Sequence, residues 1–108
     1  MNDELEAAVT NQKLVMYSLK EGDTCLAELS GIAVVFDLVI AACTRGKISH
    51  PDLRFVRMAL SSCRDLIETN CYNPELAYAL ETGLDASLRL AKRLRPRTVR
   101  RAWRELYA

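Results

Sequence analysis

The feature that most constrains the fold is a long apolar stretch, residues 25–43. Its nineteen positions carry only two charged side chains, Glu28 and Asp37. If the stretch is helical, apolar side chains lie on nearly every side of it, and such a helix has to be enclosed by other segments. We therefore expect a central helix around which the rest of the chain packs. Asp37 then lies either on a narrow exposed strip or against an arginine, because aspartates are seldom buried without a partner.

The same stretch has two other interpretations. A membrane-spanning helix needs about 20 mostly apolar residues, but Asp37 lies near the middle, where an aspartate costs about 2.5–3.5 kcal/mol on insertion scales. A buried core helix and no membrane contact are therefore favoured. A strand is suggested by the β-branched residues between Ile32 and Ile40. The stretch is longer than the ~3–10 residues of most strands, which again favours the helix.

Two segments before the middle of the chain have helical periodicity and boundary signals. The first predicted helix runs from Asn2 or Asp3 to Lys20, with Gly22 as its left-handed stop. Asp23 or Thr24 is then expected to cap the central helix. A third helix is expected to start at Ser49-His50-Pro51-Asp52, where serine caps and aspartate takes the capping-box position.

A fourth helix is predicted after a strong start signal, Asn73 as cap followed by Pro74 as first helical residue. Gly83 lies inside this helix, where it costs about 1 kcal/mol relative to alanine, so it is expected to mark a close helix crossing. Pro96 ends the helix, and Thr98–Tyr107 can form a short fifth one.

These segments predict an all-α fold in a chain of 108 residues, the size of one domain. We expect a four-helix bundle-like domain over residues 1–94 and a basic C-terminal helix within 95–108, packed on or appended to the same domain. Short connections imply antiparallel neighbours. A flatter helical array that dimerises is the alternative.

No catalytic, metal or cofactor chemistry is expected from the sequence. His50 is the only histidine, and the four cysteines form no Cys-x-x-Cys pair. Cys25, Cys43 and Cys63 are expected to be reduced core residues, whereas Cys71 lies in a predicted turn. The acidic N-terminus lacks the pattern of a secretory signal, so a cytoplasmic location is expected.

Charge is strongly segregated along the chain. Residues 1–90 hold eight Lys or Arg against thirteen Asp or Glu, a net charge of −5, whereas residues 91–108 hold seven against one, a net charge of +6. This separation is the most informative electrostatic feature of the sequence.

The C-terminal segment supplies the candidate binding residues, which are cations interleaved with aromatic side chains: Lys92, Arg93, Arg95, Arg97, Arg100, Arg101, Trp103, Arg104 and Tyr107. The polar strip of the third helix is a secondary candidate surface: Arg54, Arg57 and Arg64. In one interpretation, Trp103 simply docks the last helix onto the bundle while the arginines cover acidic neighbours and helix C-termini. In the others, the segment contacts a partner protein or nucleic-acid phosphates.

Two functional hypotheses follow. The first is a non-enzymatic protein–protein interaction module, such as an adaptor, subunit or inhibitor. It is expected to self-associate, with a homodimer as the first expectation, and to contact an acidic partner surface through its basic end. The second is a regulatory protein that binds nucleic acid through the same arginines. Against the second stands the acidic body, which would repel a duplex.

Overall fold

The computed structural model describes residues 3–107, which form five α-helices and contain no strand. Their bounds are α1 Asp3–Tyr17, α2 Leu26–Arg45, α3 Asp52–Thr69, α4 Pro74–Ala91 and α5 Pro96–Tyr107. The helices pack against each other in a compact globule, so the predicted all-α, bundle-like fold class is confirmed.

Helix α2 is the centre of the fold, because it contacts all four other helices. Its buried face includes Leu29, Ile32, Phe36 and Val39, each with no exposed surface. By length and hydropathy α2 would also pass as a membrane-crossing helix, and the buried part of it belongs to the shared core of the five helices. Enclosure is incomplete, since Leu26 at its first turn remains half exposed.

Helices α3 and α4 form the most extensive helix pair, and Gly83 explains how they approach. A Cβ atom at Gly83 would lie 2.1 Å from the Cβ of Ala59 on α3 and 3.2 Å from the ring of Phe36 on α2. Glycine therefore lets three helices meet at one point, as its position inside a predicted helix indicated.

The start of α4 is as predicted, and the start of α3 is not. The Oδ1 of Asn73 accepts a hydrogen bond from the Glu75 amide at 2.9 Å, and Pro74 is the first helical residue. By contrast, α3 begins at Asp52 rather than after Ser49, and no side chain of the preceding residue caps it. The Asp52 amide donates instead to Nδ1 of His50 at 3.1 Å. The predicted capping box is wrong, because the Asp52 carboxylate accepts from Arg89 of α4 instead.

The connection between α1 and α2 also differs from the prediction. Helix α1 ends at Tyr17, and Gly22 does have left-handed backbone (φ +82°), but in the loop. There its amide donates to the Tyr72 carbonyl at 2.9 Å, which ties this loop to the α3–α4 connection. The expected cap at Asp23 or Thr24 is absent: α2 follows Cys25, without a side-chain cap. The alternative first residue, Asn2, lies outside the described residues.

Candidate functional site

Helix α5 lies antiparallel on the C-terminal half of α2. At its start, the Thr98 methyl lies next to Gly46, just beyond the end of α2. At its end, loss of solvent and the nearby Asp37 carboxylate raise the pKa of Tyr107. Val99 and Ala102 anchor the helix in the core, with 9% and 0% of their surface exposed. The remaining faces of α5 are therefore available at the surface.

Trp103, which one interpretation of the sequence expects to dock α5 onto the bundle, is only partly covered by it. It is 47% exposed, and its ring packs against that of Tyr107, with centroids 4.4 Å apart and ring planes tilted by 42°. Leu106 is similarly exposed, at 42%. The docking is done by the smaller Val99 and Ala102, which fit against α2. Trp103 therefore keeps about half of its surface in contact with solvent.

Trp103 forms one wall of an apolar groove between α1 and α5 whose floor is Leu38 of α2. The groove measures about 430 Å³. Glu4 lines it from α1, and Arg100 and Arg104 line it from α5. The complete lining is Glu4, Leu5, Ala8, Leu38, Val99, Arg100, Trp103 and Arg104. We call this the Trp103 groove.

A second concavity lies on the other side of α5, beside the end of α2. This arginine cleft, of about 450 Å³, is lined by Arg45, Arg95, Arg97, Thr98 and Arg101. Within residues 3–107, one of these lining arginines forms an ion pair, Arg45 with Glu105. The candidate C-terminal cations are thus divided between two surfaces, with Arg100 and Arg104 at the groove and Arg95, Arg97 and Arg101 at the cleft.

The other candidate cations lie elsewhere. Neither Lys92 nor Arg93 lines the groove or the cleft, and both lie on the connection from α4 to α5. Arg54 and Arg57 border a separate concavity of about 590 Å³, with His50 and Met58. The secondary candidate surface is therefore divided as well, since Arg64 pairs elsewhere.

Arg64 is the partner that the sequence anticipated for Asp37. Its Nη2 lies 3.6 Å from the Asp37 Oδ1, and the Asp37 side chain is 39% exposed. Both expected arrangements hold at once, because Asp37 meets an arginine on a partly exposed strip of α2. This pair is an exposed structural contact, of the kind that contributes about 0–1 kcal/mol.

An ion pair that the sequence analysis missed joins α3 to α4. Asp52, only 8% exposed, accepts from Nε and Nη2 of Arg89, both at 3.0 Å. The Arg89 guanidinium lowers the pKa of Asp52 below its ordinary value. The partners are 37 residues apart, so neither spacing nor helical periodicity could have indicated the contact.

The buried thiols lack reactive character. Burial raises the pKa of Cys43 to about 11 and that of Cys63 to about 12, and Cys63 donates to the Leu29 carbonyl. Cys71 is exposed, as its predicted turn suggested. Among the described residues, no group of three His, Cys, Asp or Glu side chains could hold a metal ion.

Comparison with known proteins adds no relative from which a role could be transferred. No family model, no curated protein and no solved structure matches the chain. The fold and its surfaces define the class, an all-α protein with an apolar groove and an arginine cleft on either side of its last helix.

Proposed function

We propose that this protein is a small, non-enzymatic and cytoplasmic protein–protein interaction module, and that its partner binds in the Trp103 groove. The occupant is an amphipathic helix of the partner, with an apolar ridge and an acidic flank. This mode of binding, a helix laid into an apolar groove between two helices, is widespread in peptide recognition.

The observation that carries this proposal is the half-exposed Trp103 beside two arginines. Tryptophan and arginine are the residue types most enriched among those that dominate binding energy, and such residues occupy well-packed pockets. Leu38 and Ala8 supply an apolar floor, while Arg100 and Arg104 border one side. A partner helix can therefore bury apolar side chains on Leu38 and pair its acidic flank with the guanidiniums.

Charge supports self-association as the first case to test. The body of the chain has a net charge of −5 and the C-terminal segment +6, so α5 of one copy is attracted to the body of another. A homodimer that covers the Trp103 groove would remove Trp103 from water without a second kind of protein.

The proposal can be tested by photo-crosslinking in cells. A photo-reactive phenylalanine analogue is placed at Trp103 and, as the matched control, at Tyr78, an aromatic position on α4 that is 81% exposed. We expect a discrete adduct from position 103 and none from position 78, with mass spectrometry showing whether it contains a second copy or another protein. The adduct should weaken when Arg100 and Arg104 are replaced by glutamate. Identical adduct patterns from the two positions would contradict the proposal.

Nucleic-acid binding is the second candidate function, and one observation favours it. Arg97, Arg100, Arg101 and Arg104 are all exposed and, at 3.6 residues per turn, fall within an arc of about 100° on α5. The groove pair and the cleft pair therefore flank one solvent-facing strip of the helix, along which a duplex backbone could lie. Contact with about five phosphates predicts a slope near −4.5 in a plot of log affinity against log salt on duplex DNA. A low-salt gel shift that does not respond to Arg100→Ala with Arg101→Ala would exclude this role.

A further inference from the structure

We propose that the arginine cleft is a binding site for a compact phosphate-class polyanion, a pyrophosphate or polyphosphate group, and that it works independently of the Trp103 groove. Four arginines line it, Arg45 from the end of α2 and Arg95, Arg97 and Arg101 from the start of α5 and the residue before it. Converging like charges repel each other, and an anion bound among them would relieve that repulsion.

Among the described residues, three of these arginines form no ion pair. The fourth, Arg45, pairs with Glu105. Backbone amides also serve three of the carbonyls at the end of α2. The Ala42, Cys43 and Thr44 carbonyls at the end of α2 accept from the Gly46, Ile48 and Lys47 amides.

Two carbonyls at the end of α4 also accept from backbone amides. The Leu90 carbonyl accepts from the Arg93 amide at 2.9 Å, and the Ala91 carbonyl accepts from the Leu94 amide at 3.3 Å. At these carbonyls the donors are backbone amides rather than tail arginines, which leaves the cleft arginines available to a ligand.

The lining also indicates the class of ligand. Guanidinium groups bind phosphate oxygens in a two-pronged geometry, which is why arginine predominates at phosphate sites. In the part of the chain that the structure describes, the cleft is lined by arginines and one threonine and by no aromatic or aliphatic side chain. It therefore offers no ring or aliphatic surface on which a base could stack. A ligand that fits has dense negative charge and little apolar surface, as pyrophosphate and tripolyphosphate have.

The start of α5 adds a smaller contribution from the backbone. Its first turn is fixed by the Val99 amide, which donates to the Arg95 carbonyl at 3.2 Å. The Arg97 and Thr98 amides belong to this turn, where no carbonyl four residues earlier lies within the helix. The positive end of the helix dipole at this turn adds to the charge of the guanidiniums beside it.

The two sides of α5 provide a matched test. Arg97 and Arg101 line the cleft, whereas Arg100 and Arg104, on the same helix, line the groove. Replacing either pair by alanine removes the same charge from the same exposed helix. Binding of inorganic pyrophosphate to the intact protein is measured by isothermal titration calorimetry at constant ionic strength, after circular dichroism shows that both variants are folded.

We expect the Arg97→Ala, Arg101→Ala variant to bind pyrophosphate at least about tenfold more weakly, since hydrogen bonds to charged groups are lost. The Arg100→Ala, Arg104→Ala variant should stay within about twofold of the wild type, because these exposed side chains do not line the cleft and act on it only through solvent-screened charge. Equal weakening in both variants, or no heat of binding in the wild type, would overturn the proposal. The proposal would also be overturned if a short DNA duplex bound more tightly than tripolyphosphate and lost affinity equally in the two variants.

A gain-of-binding variant gives an independent check. Glu105→Gln frees Arg45 from its carboxylate partner, and Glu4→Gln removes the same charge at the groove instead. We expect pyrophosphate to bind more tightly to the Glu105→Gln variant and with unchanged affinity to the Glu4→Gln variant. An equal gain in both would show diffuse attraction rather than a site. None of these outcomes depends on whether the Trp103 groove binds a partner, so the two proposals fail separately.

Discussion

Asp52 is the buried carboxylate of the described core, and its environment makes a testable statement about pH. Both of its oxygens accept from Arg89, and its own amide donates to His50. Because a charge-assisted, two-pronged contact between α3 and α4 replaces its contact with water, the ionised form is favoured in the folded protein.

We expect Asp52→Asn to lower the free energy of unfolding at neutral pH by about 1.5–3 kcal/mol, the value of hydrogen bonds to charged groups. The pKa of Asp52 is lowered from 3.8 in the folded state, so the unfolded state takes up its proton first as the pH falls. The stabilisation is therefore complete above about pH 5 and is lost as the pH falls through the lowered pKa.

Urea denaturation of the wild type and of Asp52→Asn between neutral and acidic pH measures this difference. Asp65→Asn, which changes an exposed carboxylate on the same helix, is the control and should alter stability by less than about 0.5 kcal/mol. A difference between wild type and Asp52→Asn that stayed constant down to the most acidic pH would contradict the assigned role of Arg89.

The four cysteines should differ sharply in reactivity. Cys25, Cys43 and Cys63 are at most 1% exposed, and burial raises the pKa of all three thiols. Since the thiolate is the reactive form, we expect a thiol reagent at neutral pH to modify Cys71 at once and the other three only on unfolding. Rapid reaction of two or more thiols, with Cys71→Ser as the control, would show that the core is open.

At the scale of helices, the crossing at Gly83 can be tested against a second helical glycine. Gly83→Ala would place a methyl group 2.1 Å from the Ala59 Cβ, and we expect a net loss of about 1–3 kcal/mol of stability from overpacking. At Gly31 the nearest atom to an added Cβ is the flexible Gln12 side chain, 3.4 Å away.

Gly31→Ala should therefore stabilise the protein by up to about 1 kcal/mol, the difference in helix propensity. Urea denaturation curves of the two variants and the wild type measure both effects. We predict changes of opposite sign in the free energy of unfolding for the same glycine-to-alanine substitution. Stabilisation by Gly83→Ala would mean that α3 and α4 do not cross there.

The helices show what local sequence can and cannot predict. The start of α4 could be predicted because the cap, Asn73, and the first helical residue, Pro74, are neighbours in the chain. The close crossing at Gly83 could be predicted because glycine destabilises a helix interior and is expected there only where helices approach closely. The start of α3 was misjudged because a distant arginine, Arg89, competes for the Asp52 carboxylate. Contacts between residues far apart in sequence determine where such a helix starts, and helical periodicity gives no information about those contacts.

The candidate site was predicted in composition but not in arrangement. The charge of the C-terminal segment identified the right helix. The sequence did not show that Val99 and Ala102 would be buried while Trp103 stays half exposed, because all three share one broad face of the helical wheel. Nor did it show that Arg45, fifty residues before Arg95, would join the cleft arginines.

For the whole molecule, the central claim is that α5 turns Trp103 and its arginines outward beside α1. The protein has a single tryptophan, so its fluorescence reports on this position alone. In dilute solution we expect Trp103 emission near that of partly hydrated indole and quenching by acrylamide intermediate between the buried and unfolded limits.

As protein concentration rises, self-association through the groove should shift the emission to the blue and reduce quenching, and Arg100→Glu with Arg104→Glu should abolish that change. Blue, unquenchable emission already in dilute monomer would place Trp103 in the core and contradict the account.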